Sequence, residues 1–103
     1  MKCVPCEGGT PPLAPDKINE YKIQLNQSWQ ILENKKIRRE FIFKDFKESV
    51  AFVIKVAALA ENEGHHPDIY IFYNKVTLEL STHAISGLSE NDFILAVKID
   101  KID

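Results

Sequence analysis

Apolar residues recur at helical spacing from Phe46 through Val50, Val53, Ile54 and Ala57 to Ala60, which predicts one long amphipathic helix over 46–63. Asp45 followed three residues later by Glu48 has the form of a capping box with Asp in place of Ser or Thr, so the helix starts there. Gly64 supplies the left-handed residue that a helix C-terminus takes, and Pro67 cannot continue the helix. A second apolar stripe, Phe52, Val56 and Leu59, runs along the same helix. The first face therefore meets a sheet, and the second, Phe52, Val56 and Leu59, needs a neighbouring helix or another subunit.

Elsewhere the period falls to two. Residues 29–32 and 37–43 read as strands around a turn near Asn34-Lys35, and 69–73 and 76–80 flank Asn74-Lys75, a two-residue hairpin loop with Asn at positive φ. Ile37, Phe41 and Phe43 mark the buried face of the first hairpin. Arg39 falls on that same face, a placement that a strand end or a subunit contact would tolerate. Pro15 with Asp16 opens a helix to about Leu25 carrying Ile18 and Tyr21 inward. Ser89-Glu90-Asn91-Asp92 opens a last helix to about Lys101, anchored by Phe93, Ala96 and Val97. Residues 1–13 form an irregular arm. The order α-β-β-α-β-β-α predicts an α+β fold of two layers, a four-stranded antiparallel sheet from two hairpins with three helices on one face.

The second hairpin also sets a register. Its loop pairs Tyr73 with Val76, and a ladder without a bulge then carries His66 opposite His83, on the face away from the core with Asp68, Tyr70, Thr77, Glu79 and Ser81. Pro67 drives His66 into extended backbone, so the side chains of His65 and His66 diverge.

Composition narrows the possibilities. A chain of 103 residues is one domain, residues 1–103, large enough to bury a core of its own. Lys+Arg 13 against Asp+Glu 15 leaves a net charge of -2 with no long basic block, which argues against nucleic acid as a partner. No apolar run is long enough for a membrane span and the N-terminus lacks a signal-type core, so a cytoplasmic protein is expected. Both cysteines sit in Cys3-Val4-Pro5-Cys6, ahead of Glu7-Gly8-Gly9. Reduced thiols on a Gly/Pro-rich arm are the plain reading, with a redox or shared-metal role as the alternative.

A phosphate-binding glycine loop, a nucleophile elbow and a His-Glu-x-x-His helix are all missing. What remains is His65, His66 and His83 with Glu61, and Trp29, Tyr70 and Tyr73 as walls for a flat ring. Histidine titrates near neutrality, so one imidazole can donate a proton while another accepts, as elimination of water demands. The same four side chains, His65, His66, His83 and Glu61, could instead bind zinc, since three ligands and a water make a catalytic zinc site. Packing and capping roles stay open as a third reading.

From Glu61 the chain runs Glu-x3-His-His-Pro-x5-Tyr-x9-His-x8-Asp-Phe, through His65, His66, Pro67, Tyr73, His83, Asp92 and Phe93. Together with Phe43-Lys44-Asp45-Phe46, Tyr73-Asn74-Lys75-Val76, Ser81-Thr82-His83 and Gly87-Leu88-Ser89-Glu90, this resembles the pterin-4a-carbinolamine dehydratase family over nearly the whole chain. The arm with Cys3 and Cys6 is similar to that of bacterial members. The resemblance implies a hydro-lyase that removes water from a 4a-hydroxytetrahydropterin to give quinonoid dihydropterin. That reaction recycles the tetrahydrobiopterin used by aromatic amino acid hydroxylases, with no metal and no cofactor. It implies His65 and His83 as acids toward a hydroxyl on either ring face, His66 binding the pterin and assisting proton transfer, and Glu61 orienting the set. Ser81, Thr82 and Trp29 are implied as substrate-binding residues, and a homodimer or homotetramer as the assembly. The alternative it brings is a dimerisation or regulatory partner that works through its helical surface.

Overall fold

The computed structural model describes residues 12–102. Its elements are α1 (Pro15–Ile23), β1 (Gln30–Leu32), β2 (Lys36–Ile42), α2 (Phe46–Glu63), β3 (Asp68–Phe72), β4 (Lys75–Leu80), a short 3-10 turn (His83–Ile85) and α3 (Glu90–Ile99). The strands form one antiparallel sheet in the order β1-β2-β4-β3, so both hairpins meet through β2 and β4. One face of the sheet supplies Ile37, Val76, Leu78 and Leu80 to the core. All three helices pack on that face, contributing Ile18, Phe52, Val56, Leu95 and Ile99. This is the α+β arrangement that the period changes predict.

The caps of α2 form as the sequence reads. Asp45 Oδ1 accepts from Glu48 N at 2.9 Å, and Glu48 Oε1 reaches back to accept from Lys44 N at 3.0 Å. At the other end Gly64 adopts φ 69, in the left-handed region, and donates its N–H to the Ala60 carbonyl at 2.9 Å. The long helix therefore stops one residue before the two adjacent histidines.

Three expectations need correction. Within the second hairpin, Ile69 pairs with Leu78 and Ile71 with Val76, a register two residues away from the predicted one. The loop is Tyr73-Asn74, with Tyr73 rather than Asn74 at positive φ, 51. A shift of two keeps every side chain on its expected face but moves the ends, and both strands finish before the histidines, at Asp68 and Leu80. His66 and His83 are consequently not cross-strand partners.

On α2 the two stripes exchange roles. Ser49, Phe52, Val56 and Ala60 are the buried residues, whereas Ile54 is 64% and Phe46 51% exposed. The stripe that was reserved for a neighbour is the one that meets the sheet.

Arg39 needs no subunit to explain it. Its Nη1 donates to Asp100 Oδ1 at 2.6 Å, Trp29 Nε1 donates to the same carboxylate at 2.9 Å, and the guanidinium carbon lies 4.5 Å over the Phe41 ring. The residue that caps α3 thus supplies the countercharge for a cation on the core face of β2.

Candidate active site

After β4 the chain turns through His83–Ile85 and returns as Thr82 bridges Gly87 across an isolated antiparallel pair. Gly87 is required there. A Cβ added to it would stand 2.7 Å from Pro12 Cβ, and the N-terminal segment is fixed alongside by Leu13 N donating to Leu88 O at 2.9 Å. Next to this turn is a cleft of about 260 Å³ lined by Lys35, Lys36, Asp68, Ser81, Thr82, His83, Ser86 and Gly87. His83 is exposed, and no described residue hydrogen-bonds its ring.

His65 is held from the opposite side. Leaving the Gly64 cap, its Nε2 meets Asp92 Oδ1 at 2.6 Å, in the first turn of α3. Asp92 is fully buried, and its other oxygen accepts from Thr82 Oγ1 at 2.9 Å and from Ser89 N at 2.9 Å. Thr82 Oγ1 also lies 2.7 Å from Ser89 Oγ. One carboxylate therefore closes the capping box of α3, fixes the cleft-lining Thr82 and orients an imidazole. A carboxylate accepts, so His65 carries hydrogen on Nε2 and leaves Nδ1 as the nitrogen free for chemistry. Burial with three donors strengthens each bond, since the charge has no water to share.

The remaining expected site residues divide. Ser81, Thr82 and His83 share the cleft, and His65 reaches it through Asp92 and Thr82. His66 Nε2 pairs with Glu61 Oε1 at 2.8 Å, but both side chains are well exposed, at 59% and 78%. His65 and His66 do part, one toward α3 and the other toward solvent. Trp29 is 1% exposed in the core with its indole N–H on Asp100, and it does not line this cleft. Among the described residues no group of three His, Cys, Asp or Glu side chains is placed to hold a metal ion, so the four-residue zinc arrangement is not assembled. Cys3 and Cys6 lie outside the described residues.

Asp92 stands in the spaced motif of the sequence but was assigned no role at the site. Its place three residues after Ser89 marked it as a helix cap, and nothing local signalled that its second oxygen would meet a histidine 27 positions away. Lys35, Lys36 and Asp68 were likewise unassigned and are brought to the cleft by the sheet.

Comparison with known proteins places this architecture. The family model described as pterin 4 alpha carbinolamine dehydratase matches residues 11–102. A relative from Alkaliphilus metalliredigens, provisionally named a pterin-4-alpha-carbinolamine dehydratase, is 48% identical over 100 residues, covering 97% of this chain and 90% of its own. A similarly named protein of Nitrosospira multiformis is 50% identical over 101 residues, covering 98% and 88%. Among solved structures, a transcriptional coactivator/pterin dehydratase from Brucella melitensis superimposes with a TM-score of 0.80 at 34% identity, over 86% of this chain and 95% of that one. A pterin dehydratase-like protein identified as a RuBisCO assembly factor in the alpha-carboxysome gives 0.61 at 25% identity, over 71% and 86%. With a family model spanning all of its described residues and relatives matched along their length, the chain belongs to the pterin 4 alpha carbinolamine dehydratase family.

Proposed function

We propose that this protein is a hydro-lyase that dehydrates a 4a-hydroxytetrahydropterin to the quinonoid dihydropterin in the cytoplasm. The observation that carries the reading is the buried Asp92 carboxylate, 2.6 Å from His65 and 2.9 Å from Thr82, behind a cleft that His83 also lines. A histidine with one nitrogen committed to a carboxylate and the other free is built to move a proton at one defined atom.

Dehydration requires two proton movements. A proton is delivered to the hydroxyl on C4a as the C4a–O bond breaks, so the leaving group is water. A ring N–H proton is given up as the adjacent C=N bond forms. His65 and His83 serve as acids toward a hydroxyl on either face of the ring, and a neutral imidazole takes the ring proton. The Ser81 and Thr82 backbone supports the pterin edge, and the exposed pair of His66 and Glu61 helps to bind the substrate and return protons to solvent.

Self-association accompanies this reading. Ile54 and Phe46 stay exposed on α2, and the edge strand β3 presents Tyr70 and Phe72 at 43% and 57% exposure, so a homodimer or homotetramer would cover both. The test is turnover of a synthetic 4a-hydroxytetrahydropterin, with and without a chelator, for wild type, His65→Ala and His83→Ala. A catalysed rate that survives chelation and collapses in the variants supports the proposal. A rate no faster than the uncatalysed reaction refutes it.

A further inference from the structure

The cleft beside His83 lacks a wall for a flat ring. Sites that bury organic ligands are mostly apolar. Here the lining is Lys, Asp, Ser, Thr, His and Gly, and Trp29, Tyr70 and Tyr73, the walls expected from the sequence, are not part of it. On one side the cleft ends at Asp68, the first residue of β3, and β3 is an edge of the sheet.

That edge is open to pairing. The other edge strand, β1, has 3 residues, whereas β3 has 5, with a single charge at its first position and neither a proline nor a bulge to blunt it. Phe72 and Lys75 flank the two-residue loop and exchange hydrogen bonds with each other, so the N–H and C=O groups of Ile71, and of Ile69 two residues back, point away from β4 to the open side. A second copy related by a two-fold axis perpendicular to the sheet sets like faces side by side. Ile69 opposite the partner's Ile71 meets that condition and engages the outward groups of both residues. The neighbouring registers fail. One sets Ile71 opposite the partner's Pro67, which has no N–H, and the other sets Ile69 opposite the partner's Tyr73, whose φ of 51 ends the strand.

In the register that remains, Tyr70 faces the partner's Tyr70. Asp68 faces the partner's Phe72 on the same side of the sheet, with Cβ atoms roughly 4.5–5.5 Å apart. Charge is complementary too. Among the described residues no cation pairs with Asp68, and Lys75 Nζ lies 5.2 Å over the Phe72 ring of its own chain, so the partner's Lys75 arrives with that ring. Phe72 is 57% exposed in the single chain. We infer that two copies pair through β3 in this register and that each supplies Phe72 to the other's cleft, as the apolar wall against which the flat ring of the substrate lies. The identity of the ring rests on the dehydratase reading; the pairing does not.

Pairing and ligand are tested apart. In a chain carrying Cys3→Ser and Cys6→Ser, Tyr70→Cys should cross-link into a covalent dimer in air, because the two thiols stand directly opposite, whereas Phe72→Cys should not, its counterpart lying several residues along the strand. Both side chains are exposed, so the variants should fold. For the ligand, Phe72→Ala should raise KM for 4a-hydroxytetrahydropterin by about tenfold with kcat within a few-fold of wild type. Co-expression of Phe72→Ala with His83→Ala then separates the two chains. A mixed dimer joins an intact His83 to the partner's intact Phe72 at one of its sites, so the mixture should show about a quarter of wild-type kcat/KM, against about a twentieth if Phe72 served its own chain. No cross-link through Tyr70→Cys, or an equal one through Phe72→Cys, would overturn the pairing. An unchanged KM in Phe72→Ala, or no gain on co-expression, would overturn the shared wall. If the wild type turns over no 4a-hydroxytetrahydropterin, the dehydratase reading falls and the ring with it, while cross-linking still decides the pairing.

Discussion

Replacing Asp92 with Asn separates the two jobs that one buried carboxylate performs. Oδ2 accepts from Thr82 and Ser89, and among the described residues Oδ1 accepts only from His65. An Asn amide of the same shape satisfies the first pair by keeping its oxygen there, which places its NH₂ group against His65 Nε2. Two donors then face each other, and the imidazole must move its hydrogen to Nδ1, the nitrogen otherwise free for catalysis. The stability lost is that of one charge-assisted hydrogen bond, about 1.5–3 kcal/mol. Delivering a proton from Nδ1 takes a ring with hydrogen on both nitrogens, and that form would set Nε2–H against the amide NH₂, so the acid is lost and dehydration should fall by about 10²–10⁴-fold. Ser89→Ala supplies the control. It removes the hydroxyl that accepts from Asn91 N at 3.2 Å but leaves the His65 contact, so it should cost about 1 kcal/mol with turnover within a few-fold of wild type. The assays are urea unfolding beside stopped-flow loss of 4a-hydroxytetrahydropterin. Near-normal turnover in Asp92→Asn, or equal kinetic losses in Asp92→Asn and Ser89→Ala, would show that Asp92 is a helix cap and nothing more.

Other outcomes follow from burial. His66→Ala and His83→Ala alter exposed side chains, so each should cost about 1 kcal/mol or less in an unfolding titration. Each should slow dehydration by about 10²–10⁴-fold, with the double variant losing less than the product of the two; full activity in either single variant returns that histidine to a structural role. Val56→Glu places a charge where exposure is 0% and should cost about 4 kcal/mol or more, whereas Ile54→Glu at 64% exposure should leave the unfolding midpoint unchanged and shift sedimentation toward monomer. The reverse pattern would restore the stripe order read from the sequence. Tyr21 donates to Glu90 at 3.2 Å, and burial first, then this bond and the Glu90 charge, raise its pKa above the ordinary tyrosine value of 10.0. The neutral phenol is favoured in the fold. That stabilisation is complete below the unfolded-state pKa and fades as pH rises through the folded one. In a spectrophotometric titration one phenol should therefore ionise late, and Tyr21→Phe should remove that phase; three phenols titrating together would contradict it.

Much of the architecture was legible because local physics writes it into the chain. Asp45 and Glu48, Gly64 and Pro67, and Ser89 and Asp92 each satisfy or forbid specific backbone groups within a few residues of themselves, so the helix limits near the site are local properties. The alternation in β2, β3 and β4 likewise survives a two-residue slip of register, because its period is two. Family membership was legible for another reason: the spaced set from Glu61 to Phe93 is long enough to be specific.

What only the tertiary structure decided is how distant residues meet. Two apolar stripes on α2 cannot be ranked from their spacing, and the choice falls to whichever side chains fit against Val76, Leu78 and Leu80. The turn at Tyr73 settled where β3 and β4 end, and with it the loss of the pairing between His66 and His83. Arg39 looked misplaced because its partner, Asp100, lies 61 residues away on another element. Asp92 looked like a cap because its bond to His65 spans the gap between the end of α2 and the start of α3. Hydrogen bonds of this kind are short-ranged in space and unconstrained in sequence, so they exist only once the sheet and helices have packed.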